Sequence, residues 1–248
     1  MAERTYMKDG ELLTIAELRQ RFPENNVPLG KRQRKVIGLI EGERVLDVGC
    51  YYGAFAYAVS TERPECAVVG VDYVDDHVDA AGCLFQRENL QYQKADVYQL
   101  PYPEESFDCV CLQNVIEHLD EPATALREIY RVMKPGGVFI LTTDNIHSSR
   151  LLKSFLKLEI MNCIRSLLGR KKAKPGLVVF HENIEWDHHL YGWDLRTLNT
   201  LLCHVGFEYV SHEYVESPEG IIGSLFPFLK NIVVLKSGKC VREHSGGT

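Results

Sequence analysis

Three aspartates, Asp47, Asp72 and Asp96, stand at or just past the ends of short apolar runs in this chain of 248 residues. Asp47 is followed by Gly49 and Gly53 in the stretch RVLDVGCYYGAF, residues 44–55. A carboxylate there repels a pyrophosphate and suits a cationic or zwitterionic ligand. The glycines let the backbone turn sharply and approach a ligand closely. The turn is not a phosphate loop, because no Lys-Ser/Thr follows the glycines, and it is not the G-x-G-x-x-G dinucleotide fingerprint. Asp72 lies 25 positions after Asp47, close to the roughly 20-residue offset at which nucleotide folds place a ribose-binding acid. Its carboxylate can accept from both ribose hydroxyls, and charged acceptors make the stronger bonds. Histidines offer a second chemistry: an imidazole can take a proton from an attacking hydroxyl near neutral pH. The candidates are His118, His147, His181, His188 and His189.

Alternating strands and helices must position these groups. Val45, Leu46 and Val48 read as a buried parallel strand, with a helix following from Ala54 to Ser60. CAVVGVDYV, residues 66–74, is a second strand, 75–88 a helix and 90–93 a short third strand. FDCVCLQNV, residues 107–115, is the fourth strand and ends at Gln113-Asn114. A helix over 123–133 leads through the Pro135-Gly136-Gly137 turn into a strand over 138–143. Ahead of this core, Thr14 can cap a helix running to Phe22, and a second helix spans residues 31–40. Its Lys31, Arg32, Arg34 and Lys35 make either a solvated face or a lid helix that closes over a cofactor or holds an anionic acceptor.

The D-x-G-C-x-x-G stretch after a strand resembles the first motif of class I S-adenosylmethionine (SAM)-dependent methyltransferases, although that family usually has a glycine where this chain has Tyr51. FDCVCLQNVIEHLDEPATALREIYRVMKPGGVFILTT looks like the second half of a small-molecule methyltransferase core. Together the likeness covers roughly residues 36–145, with five strand-helix units in order. It is of the methyltransferase-11, ubiquinone/menaquinone methyltransferase type. The resemblance implies an α/β fold: a Rossmann-like, seven-stranded, mostly parallel sheet with its last strand antiparallel and helices on both faces. It also implies SAM as cofactor, with S-adenosylhomocysteine as product. Ligands of such sheets sit outside the carboxyl ends of the strands. The cofactor residues expected there are Asp47, Gly49, Cys50, Tyr51, Gly53, Asp72, Tyr73, Asp96, Val97, Gln113, Asn114 and His118. By the resemblance Asp96 meets the adenine amino group; from its own surroundings it could instead cap a turn before Pro101.

Composition bounds the rest. Hydrophobic residues at 45% and charged ones at 25% are ordinary for a globular protein, and the length fits one α/β domain. A net charge of -6 argues against a general nucleic-acid binder. No apolar run approaches the roughly 20 residues of a membrane span, and the N-terminal residues lack the apolar stretch of a signal peptide. The eight cysteines are irregularly spaced without a C-x-x-C, so Cys109 and Cys111 read as small core residues in a reduced, cytoplasmic protein.

The C-terminal third carries less pattern. Residues 1–43 are expected as N-terminal helices, 44–145 as the cofactor-binding core, 146–193 as an inserted helical lid and 194–248 as the end of the sheet. Within the lid, His188 and His189, with His118, are the candidate bases. His181, Glu182, Asp187, His188 and His189 could gather a divalent ion, but no spacing there is diagnostic and no metal is expected. Trp186, Tyr191 and Trp193 could wall an acceptor or plug the core. The expected activity is methyl transfer to a small molecule or glycan, at oxygen. Nitrogen or carbon acceptors, RNA, and a binding protein without turnover are the rivals. The acceptor and the oligomeric state are not written in these residues.

Overall fold

The computed structural model describes residues 5–8, 11–22, 29–147, 160–161, 164, 192–216 and 232–240. The chain begins with a hairpin, β1 (Thr5–Lys8) and β2 (Glu11–Thr14), which sequence patterning does not reveal. Helices α1 (Ile15–Arg21) and α2 (Lys31–Leu39) follow. Thr14 caps α1 reciprocally with Glu17, as the sequence suggests. Next come β3 (Arg44–Val48), α3 (Ala54–Glu62), β4 (Ala67–Asp72), α4 (Asp75–Leu84), β5 (Leu90–Lys94) and β6 (Phe107–Gln113). A 3-10 turn at Ile116–His118 leads to α5 (Pro122–Val132) and β7 (Met133–Asp144). The described chain closes with α6 (Leu195–Val205), β8 (Phe207–Val215) and β9 (Ile232–Lys239).

Seven strands form one sheet in the order β5-β4-β3-β6-β7-β9-β8. The first five are mutually parallel, and β9 is antiparallel to both β7 and β8. This is the arrangement the resemblance implies. From β3 the chain winds outward through β4 and β5, then returns to the other side of β3 as β6. The carboxyl ends of β3 and β6 therefore flank a topological switch point, where open α/β sheets leave a crevice.

The sheet is covered on both faces, so its central strands are apolar throughout rather than alternating. Leu46, Val110, Leu112, Phe139 and Leu141 pack into one layer with α5 and α6. Val45, Cys109, Cys111 and Ile140 pack into the other with α2 and α3. Cys109 and Cys111 are fully buried free thiols, in keeping with their reading as small core residues. A third cluster holds the N-terminal addition on the core: Tyr6, Leu13 and Leu18 meet Ala80, Leu84, Phe85 and Tyr52.

Helix α4 and strand β7 depart from the sequence reading. Helix α4 stops at Leu84, where the Phe85 N–H bonds the Ala81 carbonyl, rather than running to residue 88. The Pro135-Gly136-Gly137 segment belongs to β7: its register with β6 jumps from Phe107↔Met133 to Cys109↔Val138, and Gly136 takes a φ of 77°. The intervening residues bulge outward, which a turn signal in sequence cannot distinguish from a separate loop.

Candidate active site

The crevice is built on the glycine turn. The Gly49 and Cys50 N–H groups both donate to the Val71 carbonyl, at 2.8 and 2.9 Å, tying the turn to β4. Gly49 and Gly53 have φ of 75° and 80°, a region open chiefly to glycine. A side chain at either would also collide: a Cβ on Gly49 lies 2.3 Å from Val115 Cγ2, and one on Gly53 lies 2.5 Å from Tyr92 Oη. Packing thus gives these glycines a reason of its own, since Val115 and Tyr92 occupy the positions their side chains would take. Tyr92 also donates to the Gly53 carbonyl at 2.9 Å.

Tyr51 is accommodated without opening the turn. Its φ of 51° is left-handed, and its N–H donates to Asp72 Oδ2 at 2.9 Å. Its ring lies 4.2 Å from that of Tyr52 and 4.5 Å, edge-on, from that of His77. Tyr52 is buried against the N-terminal cluster. Glycine is the usual resident of such a backbone, and here the aromatic contacts hold a tyrosine in it.

Asp47, at the end of β3, is 2% exposed, and its Oδ2 has no hydrogen-bond partner among the described residues. Burial, reinforced by the charge of Asp72, pushes its carboxyl up to about 7. Asp72, at the end of β4, behaves oppositely. Burial pushes it up, but hydrogen bonds from His77 Nδ1, the Val74 N–H and the Tyr51 N–H outweigh that and hold it below the usual value. The His77 and Val74 contacts are both 3.0 Å, to Oδ1. Tyr73, next along, is exposed.

Asp96 takes the turn-capping role that its sequence context allows: its Oδ1 accepts the Tyr98 N–H at 2.9 Å. The Ala95 N–H bonds the Asp72 carbonyl at 3.0 Å, which places Asp96 beside the end of β4, and Val97 packs on the core. At the end of β6, Gln113 Oε1 is buried without a partner among the described residues. Asn114 has a φ of 51°, and its Oδ1 accepts from Arg32 Nη1 at 2.7 Å and Thr142 Oγ1 at 3.0 Å.

Three contributors escaped the sequence reading. Glu117 lies inside the IEHL segment and is fully buried, with Oε2 accepting from Thr143 Oγ1 at 3.1 Å. Burial, helped by the charge of Asp144 against bonds from its own backbone N–H, Thr143 and Asn114, pushes its carboxyl up to about 7. An acid between Ile116 and the half-buried His118 is the only signal the sequence offers for it. Arg32 was visible only as part of a basic cluster, and His77 only as a residue of an expected helix. Within that cluster Arg32 turns inward to Asn114 and Lys35 pairs with Glu213 at 2.5 Å, so these residues do not form one free basic face.

Of the lid candidates, His181, Glu182, Trp186, Asp187, His188, His189 and Tyr191 lie outside the described residues. Trp193 is a core residue, 9% exposed, in the main apolar layer. His147 is exposed, 3.7 Å from Asp194, at the edge of an open hollow of about 560 Å³ that Arg196, Asn199, Tyr209 and Tyr214 also line. Among the described residues, the lining of that hollow includes neither Asp47 nor Asp72.

Residues 46–141 match the family described as a methyltransferase domain. The erythromycin 3''-O-methyltransferase of Saccharopolyspora erythraea is 32% identical over 122 residues, 48% of this chain and 40% of that protein. The demethylmenaquinone methyltransferase of Lactococcus lactis is 26% identical over 196 residues, 77% of this chain and 75% of its own length. In structure, the phosphoethanolamine N-methyltransferase 2 of Haemonchus contortus, solved with phosphomonomethylethanolamine and S-adenosylhomocysteine, superposes with a TM-score of 0.57 at 18% identity. That match covers 84% of this chain and 52% of the other, and shows likeness of fold. The chain spans less than half the length of several curated relatives, between 28% and 45% for three of them. Residues 46–141 are thus a methyltransferase domain by family match, and they lie within a sheet whose strand order is the one the resemblance implies. No helix among the described residues is long and apolar enough to cross a membrane.

Proposed function

We propose that the chain is a SAM-dependent methyltransferase whose acceptor is a small molecule or glycan, methylated at oxygen. The observation that carries the cofactor assignment is the buried Asp47 carboxylate, with Oδ2 unpartnered beside the switch point. A second unpartnered acceptor, Gln113 Oε1, ends the neighbouring strand. Two buried acceptors await donors, and a ligand with an ammonium and a sulfonium would supply both donors and positive charge. The residues present fit SAM on that ground.

When bound, SAM supplies a methyl group activated by the sulfonium charge. Asp47 and Gln113 would take its amino-acid end, with Arg32, whose Nε is buried and unpartnered, available to a carboxylate. Asp72 would receive the ribose, and Asp96, through the oxygen not used by Tyr98, the adenine amino group. Methyl transfer needs little from the protein beyond holding donor and nucleophile in line at contact distance, which is worth on the order of 7–11 kcal/mol. A base near the acceptor hydroxyl completes the chemistry, and His118, His188 and His189 stay the candidates.

The oxygen preference rests on the histidine-rich 181–189 stretch and on the similarity to an O-methyltransferase. It is tested by following S-adenosylhomocysteine formation over a panel of hydroxyl compounds, amines and RNA. Turnover confined to hydroxyl acceptors is expected; turnover confined to amines or RNA would overturn it.

A further inference from the structure

His77 stands where the structure gives the proposed ribose site a component that nothing in the glycine motif accounts for. It sits on the first turn of α4, with its side chain mostly buried, and its Nδ1 is 3.0 Å from Asp72 Oδ1. The surroundings hold Asp72 ionised at neutral pH. An ionised oxygen and an unprotonated ring nitrogen would set lone pair against lone pair, so Nδ1 must carry the proton and donate. The ring is braced edge-on by Tyr51 at 4.5 Å and Tyr52 at 5.1 Å between centroids.

The acceptor sites on Asp72 can then be counted. A carboxylate offers about four lone-pair directions, two on each oxygen. On Oδ1, one goes to the Val74 N–H and one to His77 Nδ1–H; on Oδ2, one goes to the Tyr51 N–H. One direction, on Oδ2, is left for a ligand. The sequence reading gave both ribose hydroxyls to this carboxylate, and the geometry leaves room for one.

We propose that His77 is a positioning residue for the cofactor: by occupying Oδ1 it orients the Asp72 carboxylate so that a single Oδ2 lone pair is presented to one ribose hydroxyl. The inference rests on the reading of Asp72 as the ribose acid. His77 touches no reacting atom; it acts through Asp72, while Tyr51 couples the glycine turn to the same carboxylate from the other side.

Calorimetric titration with S-adenosylhomocysteine tests this, using the full chain, His77→Leu, His77→Asn, Asp72→Asn and the His77→Leu/Asp72→Asn double variant, each first shown folded by its thermal transition. His77→Leu removes a charge-assisted donor and should weaken binding about tenfold. His77→Asn, whose amide can still donate, should recover affinity to within about threefold of the parent. In the Asp72→Asn background, His77→Leu should change affinity by no more than about twofold, because its route to the ligand is gone. Unchanged binding in Asp72→Asn alone would overturn both the ribose reading and this inference. A loss in Asp72→Asn together with an undiminished His77→Leu effect in that background, or no recovery in His77→Asn, would overturn the inference and leave the ribose reading standing.

Discussion

Arg32 Nη1 donates to Asn114 Oδ1 over 2.7 Å, fastening α2 to the carboxyl end of β6, 82 positions away in the chain. Thr142 on β7 donates to the same oxygen, so one amide joins three elements at the mouth of the crevice. Of the two sequence readings of this basic helix, the contact favours a lid for Arg32. Arg32→Ala should cost about 1–2 kcal/mol of stability and weaken S-adenosylhomocysteine at least tenfold. Chemical denaturation and calorimetry on the same preparation check both. A stable variant with unchanged affinity would remove Arg32 from the site.

Asp47 and Glu117 make the ligand-free protein sensitive to pH. Each titrates at about 7 in the folded chain, against about 4 in the unfolded one. Between those values the folded state binds more protons, so stability falls as pH rises from about 4 to about 7, and the loss is complete above that. Asp47→Asn removes its share of that loss. The ligand-free variant should melt about 2–4 °C above the parent at pH 8, with the gap narrowing toward pH 5, while its affinity for S-adenosylhomocysteine drops. A gap that widens toward low pH would contradict the sign. The site would thus trade stability for a charge the ligand needs.

Tyr51 can be tested by what its backbone tolerates. Tyr51→Gly suits a φ of 51° and should keep S-adenosylhomocysteine binding within about threefold, losing only ring contacts. Tyr51→Val places a β-branched side chain in the same left-handed conformation and should destabilise by about 1–2 kcal/mol. Equal stability for the two variants would show that the loop does not hold this conformation in solution.

Trp193 separates a core residue from an acceptor wall. In the apolar layer with Leu198, Leu202 and Phe207, its removal as Trp193→Ala should cost about 3–5 kcal/mol. Thermal melting measures this directly. A small loss of stability coupled to altered acceptor preference would restore the wall reading.

What could be read from the sequence follows from how local each signal is. The central strands announce themselves because burial on both faces demands continuous apolar runs such as VLDV and DCVCL. Asp47, Asp72 and the glycine turn are legible because strand, turn and acid lie within a few residues of one another. Arg32 was not, since it works through Asn114, brought close only by folding across 82 positions, and His77, five residues after Asp72, reads as an ordinary member of an expected helix. Glu117 lies in the IEHL segment between the fourth strand and the next helix, where no spacing marks it as buried. The β1–β2 hairpin has strands of four residues, too short to show a period.

The most direct measurement is calorimetric titration of the folded chain with SAM and S-adenosylhomocysteine, beside an Asp72→Ala variant. We expect micromolar binding of both ligands by the parent chain and its loss in the variant, which retains its fold. A folded parent that binds neither ligand would contradict the assignment of this crevice to SAM.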